Sequence, residues 1–203
     1  MIKIPTCVAL TCFLLGCSPE QGSSNTSAGK KAAEEKVAQE QAQLQVIKDK
    51  SEKDRLELAS KQHLNQAFAY ISSAQSSATK DQKEKALLNA EIEFTNALNL
   101  TPKSSEALMN RGVLYSALGK MNKAEEDLKS AAALMPSDSA VFYNLTCLYS
   151  VTNKLDLAAD ALDTALKNGF NNAERLRKDP DLANLRKTKE FKSILEKHKM
   201  FIS

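Results

Sequence analysis

The side chains best able to do chemistry in this 203-residue chain are its histidines, cysteines and carboxylates. Their spacing argues against catalysis. His63 and His198 lie far apart, and neither stands at a metal-ligand spacing from another donor. No glycine-rich loop is placed to cradle phosphates, and no Gly-x-Ser-x-Gly elbow presents a nucleophile. The carboxylates alternate with lysines, as they do on solvated helix faces. The sequence therefore predicts a protein that is not an enzyme, with no catalytic residue, no metal and no cofactor.

The four cysteines need a setting before they can be read. The chain opens MIKIPTCVALTCFLLGC, with Lys3 as a positive start and an apolar run from Cys7 to Leu15. That run is shorter than the ~20 apolar residues a bilayer span needs, so residues 1–16 read as a signal segment. Leu14-Leu15-Gly16-Cys17 resembles the bacterial lipobox. The resemblance implies cleavage before Cys17 and acylation of its thiol and amine, and several acyl chains anchor stably where one would be marginal. Ser18 after the Cys implies sorting to the outer membrane. The expected address is thus the bacterial cell envelope, lipid-anchored and facing the periplasm. Cys7 and Cys12 would leave with the signal, which leaves Cys147 free and no intramolecular disulfide. Cys147 reads as a small apolar helix residue, with a redox thiol as the alternative.

Residues 17–29 carry a Ser- and Gly-rich linker. Residues 30–61 form a charged stretch of high helix propensity. Its apolar positions, among them Val37, Leu44, Ile47 and Leu58, do not sustain a heptad repeat. A solvated helical stalk is expected, and self-association into a homo-oligomer is the alternative. Net charge is only +3, which gives no support to a nucleic-acid partner.

The clearest pattern is Ser105–Asp138. Apolar residues recur with helical period over two segments, Glu106–Leu118 and Asn122–Leu134. Gly112 allows close crossing of two helices, Gly119 suits a left-handed C-cap, and Pro136 ends the second helix. The order Leu108, Gly112, Tyr115, Ala124, Leu128, Ala131, Pro136 resembles a tetratricopeptide repeat. Residues 139–172 repeat it in phase through Phe142, Leu145, Tyr149, Ala158, Leu162 and Ala165, with Thr146 in place of Gly112. Residues 62–104 match only in their second half (Ala90, Phe94, Ala97, Pro102) and read as a degenerate first repeat with lengthened helices. Residues 173–203 resemble the closing segment of such arrays, with Asp179-Pro180 starting a helix and Leu182, Leu185, Phe191, Ile194 and Leu195 as its apolar face.

The resemblance implies an all-α fold. It would be a short α-solenoid of helix pairs with a C-terminal capping segment, preceded by signal peptide, linker and stalk. One helix pair cannot bury its apolar face alone, so tandem pairs are required. It also implies a groove lined by the first helices of successive repeats. One repeat would contribute Met109, Asn110, Val113, Ser116 and Ala117, and the next Tyr143, Asn144, Cys147, Ser150 and Val151. Asn110 and Asn144, at one phase, would bond a peptide backbone, or a terminal carboxylate with Lys178 and Arg175 as cations; packing between repeats is their alternative role. The expected function is a membrane-anchored adaptor that binds a protein or peptide partner in the cell envelope through this groove, with lipidated Cys17 holding it to the membrane. The alternative is a structural lipoprotein whose stalk self-associates.

Overall fold

A computed structural model describes residues 26–200. The expected signal segment, Cys17 and the first part of the linker lie outside the described residues. Contacts divide the chain into two units, one through Asp49 and one from Lys50 on. In order, the helices are α1 (Thr26–Ser76), α2 (Lys80–Leu100), α3 (Ser105–Ala117), α4 (Met121–Leu134), α5 (Ser139–Val151), α6 (Leu155–Lys167), α7 (Ala173–Lys178) and α8 (Lys189–Lys197). Short 3-10 turns at Pro180–Leu182 and Leu185–Lys187 join α7 to α8. No strand occurs among the described residues. None of their helices is long and apolar enough to cross a membrane.

The first unit contains the opening half of α1. Its apolar side chains stay in water: Val37, Leu44 and Ile47 are 52%, 56% and 63% exposed. This half of α1 is supported by local pairs such as Gln45 Nε2 donating to Asp49 Oδ1 at 2.7 Å. The helix does not end where the stalk was expected to meet the first repeat. Lys61-Gln62 holds two good helix formers and no breaker, so α1 continues to Ser76.

In the second unit, helix starts follow local chemistry. Thr79 accepts from Gln82 N, Ser104 from Ala107 N and Asp138 from Ala140 N, each leaving one fewer orphan amide. α3 stops at Gly119 (φ 73°), where Lys120 N donates to Tyr115 O at 2.8 Å and Gly119 N to Ser116 O at 3.0 Å. α5 stops the same way at Asn153 (φ 58°), one of the few non-glycine residues that tolerate this conformation. The second ending carries no Gly signal, yet its geometry repeats the first.

The core repeats in phase. Ala124 and Ala158, Leu128 and Leu162, and Ala131 and Ala165 are all at most 1% exposed. Gly112 makes the closest crossing of α3 on α4: a Cβ there would sit 2.8 Å from Leu128 Cγ and 3.3 Å from Ala124 O. At the matching place Thr146 is fully buried, and its hydroxyl donates to Phe142 O at 2.8 Å within its own helix. α1 packs on α2 through side chains, Leu64 and Ala67 against Ala90, Phe94 and Ala97, with Phe68 edge-on to Phe94. Leu176, Leu182 and Leu185 close the C-terminal end with no exposed surface, and Phe191 and Leu195 of α8 join the same core.

Ion pairs join successive helix pairs, also in phase. Lys120 reaches back to Glu91 and Lys154 to Glu125, both at 2.5 Å. Each lysine also lies under 6 Å from a tyrosine ring of its own repeat, Tyr115 at 5.6 Å and Tyr149 at 5.9 Å. Glu91 belongs to α2, so α2 is tied to the α3–α4 pair by the same kind of latch that ties α4 to the α5–α6 pair. Arg111 adds a second tie: its guanidinium bonds both oxygens of Asp127 (2.7 and 2.9 Å) and Thr95 Oγ1 of α2 at 3.2 Å.

Candidate functional site

α3 and α5 stand side by side, and the segment after α7 folds against α5. Between them lies a cavity of about 240 Å³. Val113, Ala117 and Met121 form one wall, Leu148 and Val151 the other, with Ser116, Asn144, Cys147, Arg175, Asp179 and Asp181 as the polar lining.

Asp179 organises the cap end of this cavity. It was expected only as a helix start, and its Oδ1 does accept from Asp181 N at 3.0 Å. Its Oδ2 accepts from Tyr143 Oη at 2.6 Å and lies 4.0 Å from Cys147 Sγ. Tyr143 is 1% exposed. Its ring stacks on Phe170 at 4.2 Å and 10°, and the Arg175 guanidinium carbon is 4.6 Å from its centroid. Burial pushes the Tyr143 phenol well above its ordinary value, and the bond to Asp179 adds to that. Burial also pushes the Cys147 thiol up to about 12. The Asp181 carboxyl is raised by burial and then by the neighbouring Asp179 charge.

The expected groove residues therefore divide. Val113, Asn144 and Cys147 come together on the cavity, with Ser116, Ala117 and Val151. Met109 packs against core side chains, and Tyr143, at the same phase one repeat on, is buried under the cap. Asn110 Nδ2 donates to Glu106 O within its own helix at 2.8 Å. Ser150 is fully buried, and its Oγ accepts from Leu185 N of the cap at 3.3 Å. Lys178 pairs with Glu174 at 2.9 Å and borders a separate shallow hollow with Asn172 and Pro180. Sequence reasoning missed the part that Asp179 and Asp181 take in the cavity. The only signal was the D-P-D spelling itself, which puts two carboxylates around a Pro-fixed turn.

Cys147, Asp179 and Asp181 hold a thiol and two carboxylates within 4.8 Å of one another. This is a poor metal site as built. Burial disfavours the thiolate, and Asp179 already accepts from Tyr143 and from the Asp181 amide. The histidines are spoken for in separate places, His63 with Glu93 at 2.6 Å and His198 with Asp163 at 2.7 Å.

A larger hollow of about 750 Å³ lies between α1 and the α2–α3 turn, floored by Leu56, Leu64, Leu100 and Pro102. Ser60 at its base is spent on Ala97 O and Thr101 Oγ1.

Among solved structures the chain is similar to a thermophilic TPR (tetratricopeptide repeat) protein of Thermus thermophilus. The two are 25% identical, with a TM-score of 0.51 over 66% of this chain and 62% of that one. The fold is tetratricopeptide-like. The aligned region spans less than two thirds of that protein, so the likeness concerns the helical-repeat fold of part of each chain. No family model matches the sequence, and no curated protein does. The tetratricopeptide-like assignment agrees with the in-phase core, the paired caps and the repeated lysine latch.

Proposed function

We propose that this protein is a membrane-anchored adaptor of the bacterial cell envelope that holds a segment of a partner protein in the cavity between α3, α5 and the cap. The observation that carries the reading is the cavity itself. Two repeats present a shared apolar trough, Val113 and Ala117 facing Val151, with the Asn144 amide beside it. Helical-repeat folds use extended surfaces of this kind for protein recognition. Crosslinking in intact cells followed by affinity purification tests it. A discrete envelope protein should be recovered with the natural chain and lost with Asn144→Ala; recovery indifferent to groove substitutions contradicts the proposal.

Anchoring rests on the lipobox-like Leu14–Cys17, and Ser18 after it supports an outer-membrane address facing the periplasm. Radiolabelled palmitate should label the natural chain and not Cys17→Ala, and the variant should leave the membrane fraction. Labelling that persists in the variant removes the anchor.

A second reading, a structural lipoprotein that self-associates through α1, is favoured by one observation: Val37, Leu44, Ile47 and Leu58 remain more than half exposed. Sedimentation decides it. A dimer abolished by Leu44→Glu with Ile47→Glu supports self-association, and a monomer in both forms removes it.

A further inference from the structure

The polar groups around the cavity are unevenly employed. Asp179 holds Tyr143 and the Asp181 amide. Arg175 lies on the Tyr143 ring and 3.9 Å from Asp179 Oδ2. Lys178 is paired with Glu174. The cations expected to receive a terminal carboxylate are therefore already engaged inside the chain. Two lining groups are not. Among the described residues, neither the half-buried Asn144 side-chain amide nor the solvent-exposed Asp181 carboxylate has a hydrogen-bond or cationic partner. They open on the same cavity, beside the aliphatic surfaces of Val113, Ala117 and Val151.

We propose that the cavity selects an extended partner segment carrying a Lys or Arg, whose cation bonds Asp181 while Asn144 bonds its main chain. This inference rests on the groove-binding reading and names the partner's chemistry. A Lys or Arg stem is three or four methylenes tipped by a charge, and such side chains lay the stem on apolar surface while the head reaches a polar partner. Val113, Ala117 and Val151 offer the surface, and Asp181 offers the partner. Arg175 already faces Asp179 at 3.9 Å, so the carboxylate left without a counter-charge in the lining is Asp181, which favours an arriving cation over an arriving carboxylate. An uncharged apolar side chain would gain the wall contacts and leave Asp181 unpaired.

The test uses purified full-length protein, nitrogen-15 labelled, and three probes at millimolar concentration. These are acetyl-Ala-Ala-Lys-Ala-Ala-amide and its counterparts with norleucine or glutamate in place of Lys. The Lys peptide should move the Asn144 side-chain amide and the Val113 and Val151 backbone amides, and bind about three- to fivefold more tightly than the norleucine peptide. Asp181→Asn should erase that advantage. Added salt should erode it while leaving norleucine binding unchanged, which keeps the test decisive if Asp181→Asn perturbs the cap. Equal binding of Lys and norleucine peptides in the groove, or tighter binding of the glutamate peptide, overturns cation selection and leaves the groove reading standing. No movement of these amides with any peptide overturns both.

Discussion

Tyr143 Oη donates to Asp179 Oδ2 at 2.6 Å, joining the middle of α5 to the turn that starts the C-terminal cap. The bond is made with the tyrosine out of water and its ring against Phe170 and Arg175. Together with Ser150 Oγ, which accepts from Leu185 N, Tyr143 fixes where the cap sits, and the cap contributes Asp179 and Asp181 to the cavity. Tyr143→Phe keeps the stacking and removes the donor. Losing one charge-assisted bond should lower stability by about 1.5–3 kcal/mol. Amide exchange should speed selectively at Leu176, Leu182 and Leu185. A uniform change across α3–α6 would contradict this division of labour.

The Arg111–Asp127 pair is a second polar contact with little exposure, its side chains 18% and 7% exposed. Asp127→Ala would strand the guanidinium against Tyr115 and Thr95 and should cost about 2–4 kcal/mol in denaturant unfolding. Arg111→Leu with Asp127→Ala removes both charges and should recover most of that loss, since no uncompensated charge remains. A double variant as unstable as the single one would show that the pair itself, and not the stranded charge, carries the stability.

Gly112→Ala tests the helix crossing. The new methyl would meet Leu128 Cγ at 2.8 Å and a fixed backbone oxygen at 3.3 Å, so only the leucine can yield. A loss of about 1–3 kcal/mol is expected. Gly112→Ala with Leu128→Ala should relieve the clash at the cost of a smaller core, and thermal melting reads both.

Cys147 borders the cavity, yet its thiol is pushed up to about 12, mainly by burial. At pH 8 its reaction with a disulfide reagent should be on the order of a hundredfold slower than that of an exposed cysteine, because the thiolate is the nucleophile and its scarcity outweighs its higher intrinsic reactivity. Denaturation should restore the ordinary rate. Fast labelling of the folded protein would show that the cap does not shield it.

Asp163 receives Lys197 Nζ on both oxygens (2.8 and 2.9 Å) and His198 Nε2 at 2.7 Å, tying α8 to α6. Lys197, then His198, holds its carboxyl below the usual range. A lowered folded-state value means that the tie stabilises the fold above the ordinary carboxylate pKa and is lost as pH falls through the lowered one. Unfolding of the natural chain should therefore grow easier on acidification across that window, and Asp163→Asn should flatten the dependence. Because the site is largely open to solvent, the effect should be small and weaken in salt.

Much of this was legible in the residues. Helical periodicity, the Gly112 crossing and the left-handed Gly119 each follow from one or two side chains. Where the chain carried the message in pairs, the sequence was silent. Glu91 and Lys120 are ordinary surface charges until two helix pairs stack. Tyr143 has the phase of a groove residue, and Phe170, Arg175 and Asp179, all beyond its own helix, cover it. Asn110 and Asn144 share a phase, yet Asn110 turns back to Glu106 O while Asn144 lines the cavity. The length of α1 escaped for the opposite reason: nothing at Lys61-Gln62 breaks a helix, and a change in hydrophobic pattern is not a boundary.

A partner protein seated in the cavity between α3, α5 and the cap, as proposed, would lie within reach of Val113 and Val151. A photo-crosslinking residue can be placed in living cells at Val113, at Val151 or, as a control, at the exposed Leu157 of α6. One discrete adduct should be shared by Val113 and Val151, absent from Leu157 and lost on Asn144→Ala. The same diffuse pattern from all three positions would contradict the proposal.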